Sequence, residues 1–298
     1  MKTIRQTLPE LKKSLLASLT LIAVSFSTFA AEVAPGDYEM YPTGATIGVV
    51  YYQHATTDSL YVDGHKASSD FKLTSDIGIL RLLHVVELTD RLTVDPQFLL
   101  PFGRVSSSGD ASALDDANGV GDLILAPAFK YRLNDARDVI GFTPYLFVPT
   151  GTYDKDDALN LGENRWKLDL QAAYVKHFGE KWALDVVGDA IWYGDNNDLG
   201  AASLRREQDV SYSAQVMGRY MPTATTTFAI GFGHNWGGEN KIDGVRQDDE
   251  MKTTNFRLTA TTFVTPTDQF QVQLGKDLSV ESGAHEDFRV NLRYAHVF

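Results

Sequence analysis

From Thr46 to the end of the chain, apolar and polar residues alternate in segments of about ten, the period of a strand with two unlike faces. In one segment Trp166, Leu168, Leu170, Ala172, Tyr174 and Phe178 share one parity, and Lys167, Asp169, Gln171 and His177 share the other. Trp182, Leu184, Val186, Ala190 and Trp192 oppose Asp185 and Asp189 in the same way, and Val210, Tyr212, Ala214, Val216 and Tyr220 oppose Asp209, Ser211, Gln215 and Arg219. The last segment sets Phe288, Val290, Leu292, Tyr294 and Phe298 against Asp287, Arg289, Asn291 and Arg293. The pattern predicts twelve strands, at 46–56, 70–88, 91–102, 120–133, 138–150, 164–178, 182–193, 209–221, 225–236, 252–264, 269–278 and 287–298. In the second, Arg81 falls among Ile77, Ile79 and Leu83, which predicts a bulge.

The connections fall into two classes that alternate strictly. Five are tight: Thr89-Asp90, Asn134 to Arg137, Gly179 to Lys181, Pro222 to Ala224 and Thr265 to Asp268. Six are longer and rich in Gly, Ser, Asn and Asp, at about 57–69, 103–119, 151–163, 194–208, 237–251 and 279–286. A barrel in an outer membrane has short periplasmic turns and longer external loops. The expected fold is therefore all-β: a transmembrane antiparallel up-and-down β-barrel of 12 strands over residues 46–298, with six longer external loops. Trp166, Phe178, Trp182, Trp192, Tyr193, Tyr220, Trp236 and Phe298 fall near strand ends, where amphipathic rings meet the lipid–water interface. A soluble sandwich would also alternate, but its sheet would need a cover, and no helical pattern supplies one.

The N-terminus departs from this pattern. Lys2, Arg5, Lys12 and Lys13 precede an apolar run from Leu15 to Phe29, and Thr28-Phe29-Ala30 offers a small-residue cleavage site. Residues 1–30 are expected to be a secretory signal peptide, and 31–45 a periplasmic N-terminal segment. The signal carries four basic residues and one acid, so of 27 basic and 39 acidic residues in the whole chain 23 and 38 remain, a net charge of −15. That balance excludes a nucleic-acid binder. Export permits disulfides, yet the chain has no cysteine, so another device must hold it together. A closed barrel in lipid, with every backbone group paired internally, is such a device.

Two stretches resemble known families. Phe288-Arg-Val-Asn-Leu-Arg-Tyr-Ala-His-Val-Phe298 resembles the terminal strand of outer-membrane barrels, in which Tyr294 and Phe298 would be the signal read by the insertion machinery. The run Thr143-Pro-Tyr-Leu-Phe-Val-Pro-Thr-Gly-Thr-Tyr153, followed by Asn160-Leu-Gly-Glu-Asn-Arg-Trp166 and by Tyr193-Gly-Asp-Asn-Asn197, is similar to the transporter-like exported proteins grouped under the meta-pathway of phenol degradation. That resemblance implies a barrel passing small aromatic or poorly soluble molecules.

Catalytic chemistry finds little support. Outer-membrane phospholipases, also twelve-stranded, place a nucleophile beside a base on one outer face, and His-x-Ser would do that on a strand. No histidine here has a serine two residues on. There is no H-E-x-x-H, and the acidic runs Asp154/Asp156/Asp157 and Asp248/Asp249/Glu250 lack calcium-loop spacing, so they read as solvated loops. No cofactor, metal or catalytic residue is expected.

The polar parity does carry chemistry. Asp122, Lys130, Arg132, Lys167, Asp169, Asp185, Asp189, Arg219, Arg257, Arg289, Asn291 and Arg293 are expected to face the lumen, because charge facing lipid costs a few kcal/mol. Such a lining serves either as a salt-bridged plug or as a selective passage, and twelve strands allow only a narrow one. The expectation is a monomeric channel of a Gram-negative outer membrane. Its partners would be lipid, lipopolysaccharide, the insertion machinery and small solutes taken up passively. A non-transporting envelope barrel and, behind it, a barrel phospholipase are the alternatives.

Overall fold

The computed structural model describes residues 32–298; the expected signal peptide lies outside them. Twelve antiparallel strands pair in chain order. They are β1 (Thr46–Val62), β2 (Phe71–His84, continued by Val86–Thr89), β3 (Leu92–Gly109), β4 (Leu123–Arg132), β5 (Val139–Val148) and β6 (Lys167–Phe178), then β7 (Trp182–Tyr193), β8 (Ser211–Tyr220), β9 (Thr226–Gly237), β10 (Met251–Phe263), β11 (Asp268–Val280) and β12 (Gly283–Val297). β12 returns to pair with β1, from Ile47 opposite Val297 to Tyr61 opposite Gly283. The sheet thus has no open edge, the condition for placing backbone in lipid.

The alternation read from the sequence sorts the two faces. Leu168, Tyr174, Val186, Val216, Leu258 and Leu292 project outward and stay exposed, and Lys167, Asp169, Asp185, Arg219 and Arg289 are buried inside. Aromatic rings mark both rims. Trp182 lies 4.6 Å from Tyr220 at the end with the tight turns, and Tyr212 lies 5.6 Å from Trp236 at the end with the loops. Tyr193 departs from the girdle: it turns inward, its hydroxyl 2.6 Å from that of Ser211. Leu258 sits mid-strand on the lipid face, so Leu258→Arg is expected to destabilise the barrel by about 2–4 kcal/mol. Unfolding titrations in lipid vesicles check this; a cost near zero would mean that this face is not in hydrocarbon.

Three details differ from the sequence reading. From Leu73 to Leu83 β2 pairs without a register shift with both β1 and β3, so Arg81 marks no bulge. Phe71, Leu73, Ile77 and Ile79 instead face inward with it, against an apolar cluster that includes Leu159 and Leu161, and Leu83 packs with Ala45, Ile47 and Ala295. Leu159 and Leu161 belong to the connection after β5, which folds down into the barrel. Next, the last external loop is not long: β11 and β12 run on to leave only 281–282 between them, and β1 likewise extends to Val62. Gly, Ser and Asp there sit in strands that continue beyond the lipid. Finally, the β4–β5 ladder passes from Leu125–Leu146 to Phe129–Phe142, skipping 126–128 and 143–145. Pro127 and Pro144 lie in that gap, and neither has an amide hydrogen to give.

At the loop end, short strands Asn196–Leu199, Leu204–Gln208, Asn240–Ile242 and Val245–Arg246 form a separate antiparallel sheet. It joins the connection after β7 to the connection after β9 and partly roofs the barrel.

Candidate functional site: the lumen

The lumen is organised by residues 32–45. This segment, expected on the periplasmic side, is folded up into the turn-end half of the barrel before it joins β1. Its composition explains why it can lie there. Val33, Tyr38 and Met40 pack on Val139, Val175, Val187 and Met217, and its three carboxylates meet cations that the strands present inward. Glu32 pairs with Arg257 at 2.8 Å and lies 3.7 Å from Arg289. Asp37 is held by Arg293 at 2.7 Å and Arg81 at 3.1 Å. Glu39 is held by Arg219 at 2.6 Å and lies 2.9 Å from His177 Nε2.

Further polar contacts complete the hold. The Gly36 amide donates to Asp185 at 2.9 Å, and the Tyr38 hydroxyl donates to Gln171 at 2.8 Å. Lys130 donates to the Glu39 carbonyl at 3.0 Å, pairs with Asp95, and lies 3.7 Å from the centre of the Tyr41 ring. A single missing side chain makes room for Tyr38: a Cβ on Gly141 would stand 2.0 Å from its ring. Between segment and wall remain gaps of about 50 and 10 Å³, enough for a few waters.

Toward the loop end the lumen opens into a cavity of about 900 Å³. Glu32 lies at its floor, and Leu60, Leu73, Phe147 and Ile191 supply apolar wall. Arg206 and Ile242 of the external sheet also line it. On one side the wall is closed by the connection 149–166. Glu163 there receives Lys167 Nζ at 2.5 Å and Arg165 Nε at 2.9 Å, and its own amide donates to Asp122 at 3.0 Å. Burial alone would raise the Glu163 carboxyl; the charges of Lys167, Arg165 and Arg206 outweigh that and hold it well below the usual carboxylate range.

The predicted inward residues therefore divide by task. Lys130, Asp185, Arg219, Arg257, Arg289 and Arg293 meet the N-terminal segment; Asp122 and Lys167 anchor the inserted connection. Asp169 and Asp189 border the cavity. Asn291 donates to Gln273 at 2.7 Å in the wall. Arg132 is the exception: it shares their parity but ends β4 at the rim, exposed, because the strand stops there. Tyr294 and Phe298 face outward at the turn end, and the Phe298 amide donates to the Thr46 carbonyl at 2.9 Å across the closing seam. The sequence reading missed Glu32, Asp37, Tyr38, Glu39, Arg81 and Glu163. Only Arg81 left a signal, as the charge that broke the apolar parity.

The acidic runs serve as loop structure. Asp249 accepts from the amide and side chain of Asn240, and Asp154 accepts from the amide of Asp156. Among the described residues no group of three or more acids or histidines is placed to hold a metal.

Comparison with known proteins agrees with this architecture. The chain is 71% identical to a COG4313 outer membrane channel from Pseudomonas putida F1, covering 90% of this chain and all of that one with a TM-score of 0.89. The toluene transporter TodX from Pseudomonas putida (10% identity, 91% and 93% covered, TM-score 0.51) shares the barrel fold alone. So does the translocator domain of the autotransporter NalP from Neisseria meningitidis (8% identity, 97% and 98% covered, TM-score 0.51). A comparison with curated protein sequences returns no match. The profile of the family described as "Putative MetA-pathway of phenol degradation" matches residues 57–294. A closed twelve-strand barrel with a lipid face, a charged lumen and that match is an outer-membrane channel of a Gram-negative bacterium, and the chain belongs to this family.

Proposed function

We propose that the channel takes up small hydrophobic or aromatic solutes by passive diffusion, as a monomer, and that the inward charges named above line the route. One observation carries this reading: a large cavity with apolar wall opens toward the outside, and a charge-latched segment closes its periplasmic side. A hydrophilic pore would need a continuous wet passage, whereas an apolar solute needs a dry place to partition and a movable barrier. In this reading Tyr294 and Phe298 are what the insertion machinery recognises, and the external loops contact lipopolysaccharide.

The test compares cells that produce the chain with cells that lack it. Uptake of radiolabelled toluene from dilute solution is expected to be faster in the producers, because lipopolysaccharide slows its direct entry. Equal uptake, with no conductance from the purified protein in planar bilayers, would leave a non-transporting envelope barrel.

A further inference from the structure

Two buried lumen carboxylates have no hydrogen-bond partner on either oxygen; Asp95 keeps an ion pair with Lys130 at 3.0 Å, and Asp169 has none among the described residues. Asp169 on β6 is fully buried, and neither of its oxygens has a hydrogen-bond partner. Its neighbours are already committed. Asp189 receives Gln171 Nε2 at 2.6 Å and Ser213 Oγ at 2.5 Å, one on each oxygen. Lys167, two residues away on the same face, gives its ammonium to Glu163. Leaving a buried carboxylate unpaired costs several kcal/mol, so a fold seldom keeps one without a use for it. Asp169 borders the 900 Å³ cavity, together with Phe147, Ile191 and Tyr193. In register it stands opposite Ile191 on one side and Tyr145 on the other.

We propose that Asp169 is the specificity-determining residue of the cavity: its carboxylate receives the hydroxyl of a small neutral aromatic solute whose ring lies on Phe147, Ile191 and Tyr193. The surroundings choose among possible heads. An anionic head such as a carboxylate would lose its hydration beside two buried acidic side chains, with Lys167 already committed to Glu163, and is excluded. An ammonium head meets Lys167, whose Nζ lies 4.3 Å from the centre of the Phe147 ring, on the surface where the solute would rest. A neutral hydroxyl satisfies the orphan acceptor without either penalty. A solute with no donor, such as toluene, leaves it unsatisfied, and discrimination of this kind is strong because the protein's own polar group pays for the mismatch. The inference rests on the reading that the cavity lies on the solute's path.

The experiment is calorimetric titration of the full chain in lipid nanodiscs with phenol, toluene and benzoate as probes. Phenol is expected to bind about tenfold or more tightly than toluene, and benzoate not to compete. Asp169→Leu should abolish the preference without lowering the melting temperature, since it removes an unpaired buried polar group. Asp169→Asn, nearly the same shape and still an acceptor, should fall between and guards against a misfolded leucine variant. Equal affinities for phenol in the wild type and both variants, or full competition by benzoate, would overturn the assignment. Toluene uptake by cells separates the two ideas: retained uptake with no phenol preference sinks only the role of Asp169, while absent uptake sinks the transport reading itself.

Discussion

The triple variant Glu32→Gln, Asp37→Asn, Glu39→Gln is expected to raise single-channel conductance several-fold and to shift ion selectivity toward anions. The three carboxylates neutralise Arg257, Arg81, Arg293 and Arg219 inside the barrel. Removing one partner of a buried ion pair costs about 3–5 kcal/mol, because it leaves the other charge uncompensated. The arginines cannot leave, being on strands of the closed sheet, whereas the segment can. Once it leaves, the gaps of about 50 and 10 Å³ merge into an open lumen whose wall carries Arg81 and Arg293 without a carboxylate and Arg219 and Arg257 with one fewer, and those attract anions. Gly141→Val reaches the same end by a different route. It leaves every charge in place but drives a side chain into the ring of Tyr38, so conductance should rise there too. Planar-bilayer recordings decide. If neither variant conducts better than the wild type, the segment is not the barrier.

Glu163→Ala is expected to be the most damaging single substitution in the external half. It strands Arg165 and Lys167, both nearly fully buried, without their shared carboxylate. The cost should again be about 3–5 kcal/mol, seen as a lower melting temperature and as proteolytic cleavage of the connection 149–166. Arg165 would keep its bond to Gln208 at 2.6 Å and its stacking on Tyr193, so the barrel itself should survive. The sign with pH follows from the lowered carboxyl. Its stabilising effect is fully present above the ordinary carboxylate range and disappears only as the pH falls through the depressed value. In the wild type the connection should therefore resist protease at about pH 4 as well as at neutrality. An unchanged melting temperature in the alanine variant would show that Glu163 anchors nothing.

The strands were legible because lipid enforces a period. Every residue from Leu168 to Tyr174 must be either fit for hydrocarbon or fit for the lumen, and the chain records the choice at each position. Where a strand leaves the bilayer the constraint lapses. Thr57 to Val62 and Gly283 to Glu286 are strand in the fold, yet their composition is that of a loop. β2 fails the rule in the other direction, since its inward face rests on Leu159 and Leu161 and not on water. The inward charges on β4 to β12 could be found by parity, but their partners could not. Residues 32–45 have no period, and nothing in a run such as Gly36-Asp37-Tyr38-Glu39 says that it meets arginines some 40 to 250 positions away. Asp169 was found as a lumen charge; that it alone lacks a partner among these neighbours is a property of packing.

The three latches have a consequence for how the channel opens. Glu32, Asp37 and Glu39 occupy a short stretch of chain, but their partners stand on β2, β6, β8, β10 and β12, spread around the circumference. Such a tether is multivalent. When one latch breaks, the others keep its two halves at high effective concentration, and it re-forms before the segment can drift away. Release therefore requires several latches to open at once. The wild-type channel should be shut for long periods and open in rare, complete events, and each latch removed should multiply the frequency of those events.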